Sequence, residues 1–121
     1  MNRNPDEYLV FVYGTLMKGQ ANHRLLRDES YLGEATLDGY DMYDLGYFPG
    51  IVPGTGTVRG ELYRVVTVEL LSLDVLEGQG TLYSRETVPV RLEDGSAVDA
   101  FVYVYLLCVE DCPLLKGKYS K

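Results

Sequence analysis

Apolar positions fall in short blocks whose spacing changes along the chain, and the changes mark the elements. Residues 8–13 (YLVFVY) are a continuous β-branched and aromatic run stopped by Gly14, the pattern of a buried strand. A glycine-bounded stretch follows, 14–19, and Asn22 is placed to cap a short helix carrying His23, Leu25 and Leu26. Residues 31–37 predict a second strand stopped by a turn at Asp38-Gly39, and 40–45 predict a third. Gly46, Pro49, Gly50, Pro53, Gly54 and Gly56 crowd together next, which predicts a long loop. Residues 58–66 (VRGELYRVV) return to strand character.

The period then becomes helical. Thr67 suits an N-cap, Glu69 lies in the favourable first turn, and Leu70, Leu73 and Glu77 share one face. Val68, Leu71, Val75 and Leu76 are expected to fill around that stripe, and Gly78 is a natural C-terminal stop. Alternation resumes over 81–93, Asp94-Gly95 predicts a tight hairpin, and 100–107 (AFVYVYLL) is the return strand. The lysine-bearing tail after Cys112 is expected to be mobile. The sum is an α+β fold: a mostly antiparallel, curled or barrel-like sheet with one or two flanking helices, in one domain spanning 1–121 with its core at about 8–107.

Composition narrows the chemistry. The 121 residues suffice for one self-contained core. A net charge of −7 repels phosphate backbones, so nucleic acid is not an expected partner. No run approaches the length of a membrane span, no export signal precedes the first strand, and there are only two cysteines, so the expected location is cytoplasmic. The one histidine, His23, leaves too few imidazoles for a His-rich zinc site, and Cys108 and Cys112 read as ordinary core or tail thiols, so no metal is expected. No nucleophile elbow and no phosphate-binding loop is present.

Two places carry candidate chemistry. The first is Tyr13-Gly14-Thr15-Leu16, where a strand ending in glycine lets a ligand approach main-chain N–H groups that hold a carboxylate, a phosphate or an oxyanion; the alternative is a plain turn. The second is Glu77, an acid on a mainly apolar helix face. The helix dipole opposes an anion there by roughly 0.3–1 kcal/mol, Asp74 adds repulsion, and burial must be the main influence if Glu77 transfers protons near neutral pH. The alternative is a solvated carboxylate facing Arg85 or Lys18. Tyr83 and Arg85 share a strand face soon after Glu77. They offer a ring with a hydroxyl and a guanidinium for a substrate carboxylate, or else Arg85 is a surface charge. Eleven tyrosines without a tryptophan suit the walls of a wet pocket.

Residues 10–23 (VFVYGTLMKGQANH) resemble the opening of the gamma-glutamylcyclotransferase family, in the Tyr-Gly-Thr-Leu branch that includes γ-glutamylamine cyclotransferases. Residues 73–78 (LDVLEG) followed by 83–85 (YSR) resemble that family's second block, and AFVYVY its last core strand. The resemblance implies Glu77 as the catalytic acid/base and the main chain of Gly14, Thr15 and Leu16 as the substrate anchor beside Tyr13; Asn22, Tyr83 and Arg85 are the further residues expected to hold the substrate. It implies cyclisation of a γ-glutamyl amine or amino acid to 5-oxoproline with no cofactor, the α-amine of the substrate being the nucleophile. The expected partner is a small γ-glutamyl compound, the expected assembly a monomer or weak homodimer. A binding module without turnover is the other reading.

Overall fold

The computed structural model describes residues 7–120. Its strands are β1 (Glu7–Val12), β2 (Ser30–Asp44), β3 (Pro49–Val66), β4 (Tyr83–Leu92), β5 (Ala97–Tyr105) and the two-residue β6 (Leu114–Leu115). One helix, α1 (Thr67–Glu77), lies between β3 and β4, and His23–Leu25 forms a single 3-10 turn. The sheet runs β3-β1-β5-β4-β2-β6, and β2 also pairs with β3, so the first five strands close into a barrel. All pairings are antiparallel except β1 with β5, which meet in parallel at Val10 and Phe101. Closure removes the exposed strand edges that an open sheet of this length would carry.

β1 is the strand its run predicts. Val10, Phe11 and Val12 are all buried, because β1 sits between β3 and β5 with α1 packed across β1 and β3. The β4–β5 hairpin also forms, and Asp94 caps its turn by accepting from the Ser96 amide at 2.9 Å.

Three expectations give way. Asp38-Gly39 is no turn: β2 runs through it, with a register shift between Asp38 and Tyr40 where Gly39 adopts φ +88°. A bulge needs the same glycine that a turn does. The predicted loop at 46–56 is mostly strand. Only residues 45–48 turn, and β3 then pairs with β2 from Pro49 onward. Gly54 and Gly56 lie on β3 at the register shift, and the Asp41 side chain occupies the space a Cβ would need at both. The tail is ordered, since β6 pairs with β2 and Tyr119 is buried.

The helix starts with Val66 at its N-cap and ends on Gly78 at φ +60°, where the Gln79 amide reaches back to the Asp74 carbonyl at 3.0 Å. Only Leu70 and Leu73 are buried; Val68, Leu71, Val75 and Leu76 are exposed. A helix lying on the outside of a barrel covers a narrower stripe than its sequence offers. Asn22 makes no capping bond.

Candidate active site

β1 carries the chain through the barrel wall and releases it at Tyr13. Gly14 then lies against Pro49: a Cβ there would sit 2.7 Å from the proline Cγ and 2.9 Å from Cδ. This close approach lets residues 14–16 fold back over the barrel end, with the Met17 amide donating to the Gly14 carbonyl at 3.1 Å. Among the described residues, the main-chain N–H groups of Gly14, Thr15 and Leu16 donate to no protein acceptor. Residues 14–16 line a cavity with Pro49, Phe48, Glu77, Tyr83 and Tyr103. Adjacent free amides beside a concave wall are what an anion or a developing oxyanion requires.

A second cavity, the outer lobe of the site, shares Thr15, Phe48, Glu77 and Tyr83 in its lining with the first, the inner lobe. The inner lobe offers about 20 Å³, room for one water-sized group. The outer lobe offers about 150 Å³ and adds Asn22, Leu76 and Leu82 to the lining.

Glu77 ends α1 at the junction of the lobes. Burial pushes its carboxyl up from 4.5 to about 7. Among the described residues no donor or cation reaches it. Lys18 lies over the Tyr31 ring at 3.4 Å and its amide donates to Glu61, while Arg85 pairs with Asp74. The pairing of Glu77 with Arg85 or Lys18 is therefore not what forms. Asp74, one turn earlier, accepts from the Arg85 guanidinium at 2.9 Å and from the Tyr103 hydroxyl at 2.7 Å, so its charge is compensated locally.

The tyrosines around Glu77 are committed elsewhere. Tyr13 donates to the Tyr103 carbonyl and Tyr83 to the Pro49 carbonyl, both at 2.7 Å. Burial first, and then neighbouring charge including that of Glu77, holds the Tyr13 and Tyr83 phenols well above their ordinary range. In Tyr103 burial leads and the bond to Asp74 adds to it. All three remain neutral and serve as walls and struts.

Of the residues singled out from sequence, Tyr13, Gly14, Thr15, Leu16, Glu77 and Tyr83 line the inner lobe, and Asn22 lines the outer one. Asn22 is oriented by donating to the Thr15 hydroxyl at 3.0 Å. Arg85 is not brought to the cavity. Its guanidinium lies over the Phe101 ring at 4.7 Å and is tied to Asp74, because Asp74 offers the adjacent carboxylate. One nitrogen makes that contact, which a lysine can reproduce. Arg85→Lys is thus expected to leave KM within about twofold of wild type and cost under about 1 kcal/mol of stability, read by steady-state kinetics and thermal melts.

Phe48 and Pro49, which also line the cavity, are not singled out by the sequence as individual residues. They sit in a Gly/Pro-rich stretch that reads as loop, and the β2–β3 pairing brings Pro49 against Gly14. Tyr103 had a signal, its position on the last apolar strand, but nothing local indicated the contact with Asp74.

Residues 10–121 match the family described as gamma-glutamyl cyclotransferase, AIG2-like. The chain is 38% identical over 108 residues to the gamma-glutamylcyclotransferase family protein YtfP of Escherichia coli K12, covering 89% of this chain and 91% of that one. It is 35% identical over 114 residues to a gamma-glutamylaminecyclotransferase of Rattus norvegicus, covering 78% of this chain and 75% of that one. Among solved structures, an AIG2-like protein from Mus musculus superposes with a TM-score of 0.83 at 28% identity, over 94% of this chain and 88% of the other.

Proposed function

The chain belongs to the gamma-glutamyl cyclotransferase, AIG2-like family, and on that premise we propose that it cyclises a γ-glutamyl amine or γ-glutamyl amino acid to 5-oxoproline with release of the free amine. The observation that carries this reading is the pairing, across one small cavity, of a lone carboxyl raised to about 7 with three unpaired main-chain amides. A rat relative at 35% identity bears the name of such an activity.

The nucleophile belongs to the substrate. Glu77, ionised, takes a proton from the α-ammonium; the freed nitrogen attacks the γ-carbonyl carbon, and a C–N bond forms as the carbonyl oxygen gains charge. The amides of Gly14 to Leu16 face that charge or the substrate carboxylate. Protons leaving the attacking nitrogen pass through Glu77 to the departing nitrogen, the original C–N bond breaks, and the lactam and amine separate. Folding a flexible chain so that its two ends meet contributes several kcal/mol by proximity, and an inner lobe of about 20 Å³ is suited to confining the reacting group. The outer lobe, with Leu76, Leu82 and Phe48, receives the departing amine.

Incubation with a panel of γ-glutamyl amines and amino acids, read as 5-oxoproline, tests the reaction. Turnover of at least one member is expected, and folded protein inert toward all of them defeats the proposal. A second expectation concerns pH. Since the base form of Glu77 is required, kcat/KM rises with pH through about 7, and this limb is absent in Glu77→Gln. A limb near 4.5 in the wild type shows that another environment governs the carboxyl.

A further inference from the structure

Glu61 is the one charged side chain buried among the described residues, 3% exposed. It lies on β3, across from Val12 on β1 and Glu34 on β2. Its Oε1 accepts from the Lys18 amide and from the Tyr63 hydroxyl, both at 3.0 Å, and its Oε2 accepts from the Lys118 ammonium at 3.2 Å. Lys118 also reaches Glu34 at 3.5 Å.

A buried ion pair is poor support for strand packing, since apolar residues of similar volume hold strands as well or better. A carboxylate does what they do not: it accepts a directional bond from a main-chain N–H. Lys18 stands two residues beyond Leu16, at the far end of the segment that lines the cavity. The other bonds fixing this segment run to its own continuation. Asn22 donates to the Thr15 carbonyl at 2.8 Å, and the His23 ring bonds the Leu16 carbonyl at 2.9 Å. The bond to Glu61 joins the segment to the barrel. Lys118, delivered by the ordered C-terminal segment through the β6–β2 pairing and a bridge to Arg59, supplies the counter-charge.

We propose that Glu61, charge-balanced by Lys118, is a positioning residue that sets the orientation of the Gly14–Leu16 amides for the substrate. The kinetic part of the proposal rests on the cyclisation proposed above; the structural part stands apart from it.

The double variant Glu61→Met/Lys118→Met removes both charges together and leaves neither buried alone. It is expected to stay folded with a lowered melting temperature, because the Tyr63 hydroxyl and the Lys18 amide lose their acceptor. Its KM for a turned-over γ-glutamyl compound is expected to rise about tenfold with kcat within about threefold, as loss of a charge-assisted bond to the binding segment requires. In residue-resolved hydrogen exchange, the Lys18 and Met17 amides are expected to exchange at least tenfold faster while β4 and β5 amides keep wild-type rates. Glu61→Gln keeps an oxygen for the Lys18 amide and is expected to hold KM within about threefold. A double variant with wild-type KM and wild-type Lys18 exchange overturns the proposal. So does acceleration spread evenly over segment and sheet, or a tenfold KM rise in Glu61→Gln with Lys18 still protected. Should the double variant not fold, Glu61→Met alone, which removes the acceptor and leaves Lys118 with Glu34, carries the same readings. If the wild type turns over no γ-glutamyl compound, the cyclisation fails, and the exchange measurements decide the positioning role without it.

Discussion

Glu77→Gln is expected to lower kcat/KM by at least 100-fold while the protein stays folded. Glutamine keeps the size and the oxygen of glutamate but accepts no proton, and positioned acid–base groups are worth about 10²–10⁴-fold. Among the described residues no other carboxylate lines the cavity: Asp74 is held by Arg85 and Tyr103, and Glu61 by Lys18, Tyr63 and Lys118. The same variant makes an independent prediction about stability. Burial raises Glu77 from 4.5 to about 7, so between those values the native state holds a proton that the unfolded chain has released. The contribution of this group is therefore complete below pH 4.5 and is lost as pH rises to about 7, at about 1.4 kcal/mol per pH unit before allowance for the solvent that reaches the half-buried side chain. Glu77→Gln escapes that loss. Its melting temperature is expected to match the wild type at pH 4.5 and exceed it at pH 8, by roughly 1–2 kcal/mol in stability. Near-wild-type turnover removes Glu77 from the chemistry, and equal melting curves at pH 8 show that its carboxyl is not desolvated. Activity gained at the expense of stability is the common pattern for a buried acid in a site.

Gly14→Val is expected to abolish turnover and to destabilise by about 1–3 kcal/mol, the usual penalty of overpacking. The first added carbon already falls 2.7 Å from the Pro49 ring. That ring can yield only by a change of pucker, and its residue is held by the ladder to Asp44 and by the Tyr83 hydroxyl on its carbonyl. The strain is relieved by pushing residues 14–16 away from the barrel, which separates the three free amides from Glu77. A misplacement of about 1 Å in such a geometry costs on the order of 100-fold in rate. Thermal melts and the 5-oxoproline assay check both parts. A Gly14→Val protein with normal turnover shows that the segment is an ordinary turn.

Local physics determined a good part of this protein. The apolar run of β1, the 3.6-residue stripe of α1 closed by Gly78, and the Asp94-Gly95 hairpin were legible because each depends on residues within a few positions of one another. Glu77 stood out for the same reason, as an acid on a buried helical stripe. Burial is the main influence on its proton, which the stripe also implied. What the tertiary structure decided lies where local signals are degenerate. A glycine at φ +88° serves a turn and a bulge alike, so Gly39 was indistinguishable from a strand end until β2 was seen paired with β3 on both sides of it. Gly54 and Gly56 read as loop residues, because the side chain that needs their missing Cβ, that of Asp41, belongs to another strand. Arg85 had several acids within reach by sequence, and the packing of α1 against the barrel selected Asp74. The ordering of the tail and the burial of Glu61 depend on Lys118 crossing the whole chain to meet residues 61 and 34. Periodicity and turn chemistry report the free energy of neighbours along the chain. Barrel closure, ion-pair choice and the gathering of amides and carboxyl around one cavity are set by contacts between residues dozens of positions apart, and those become determinate only once the sheet has closed.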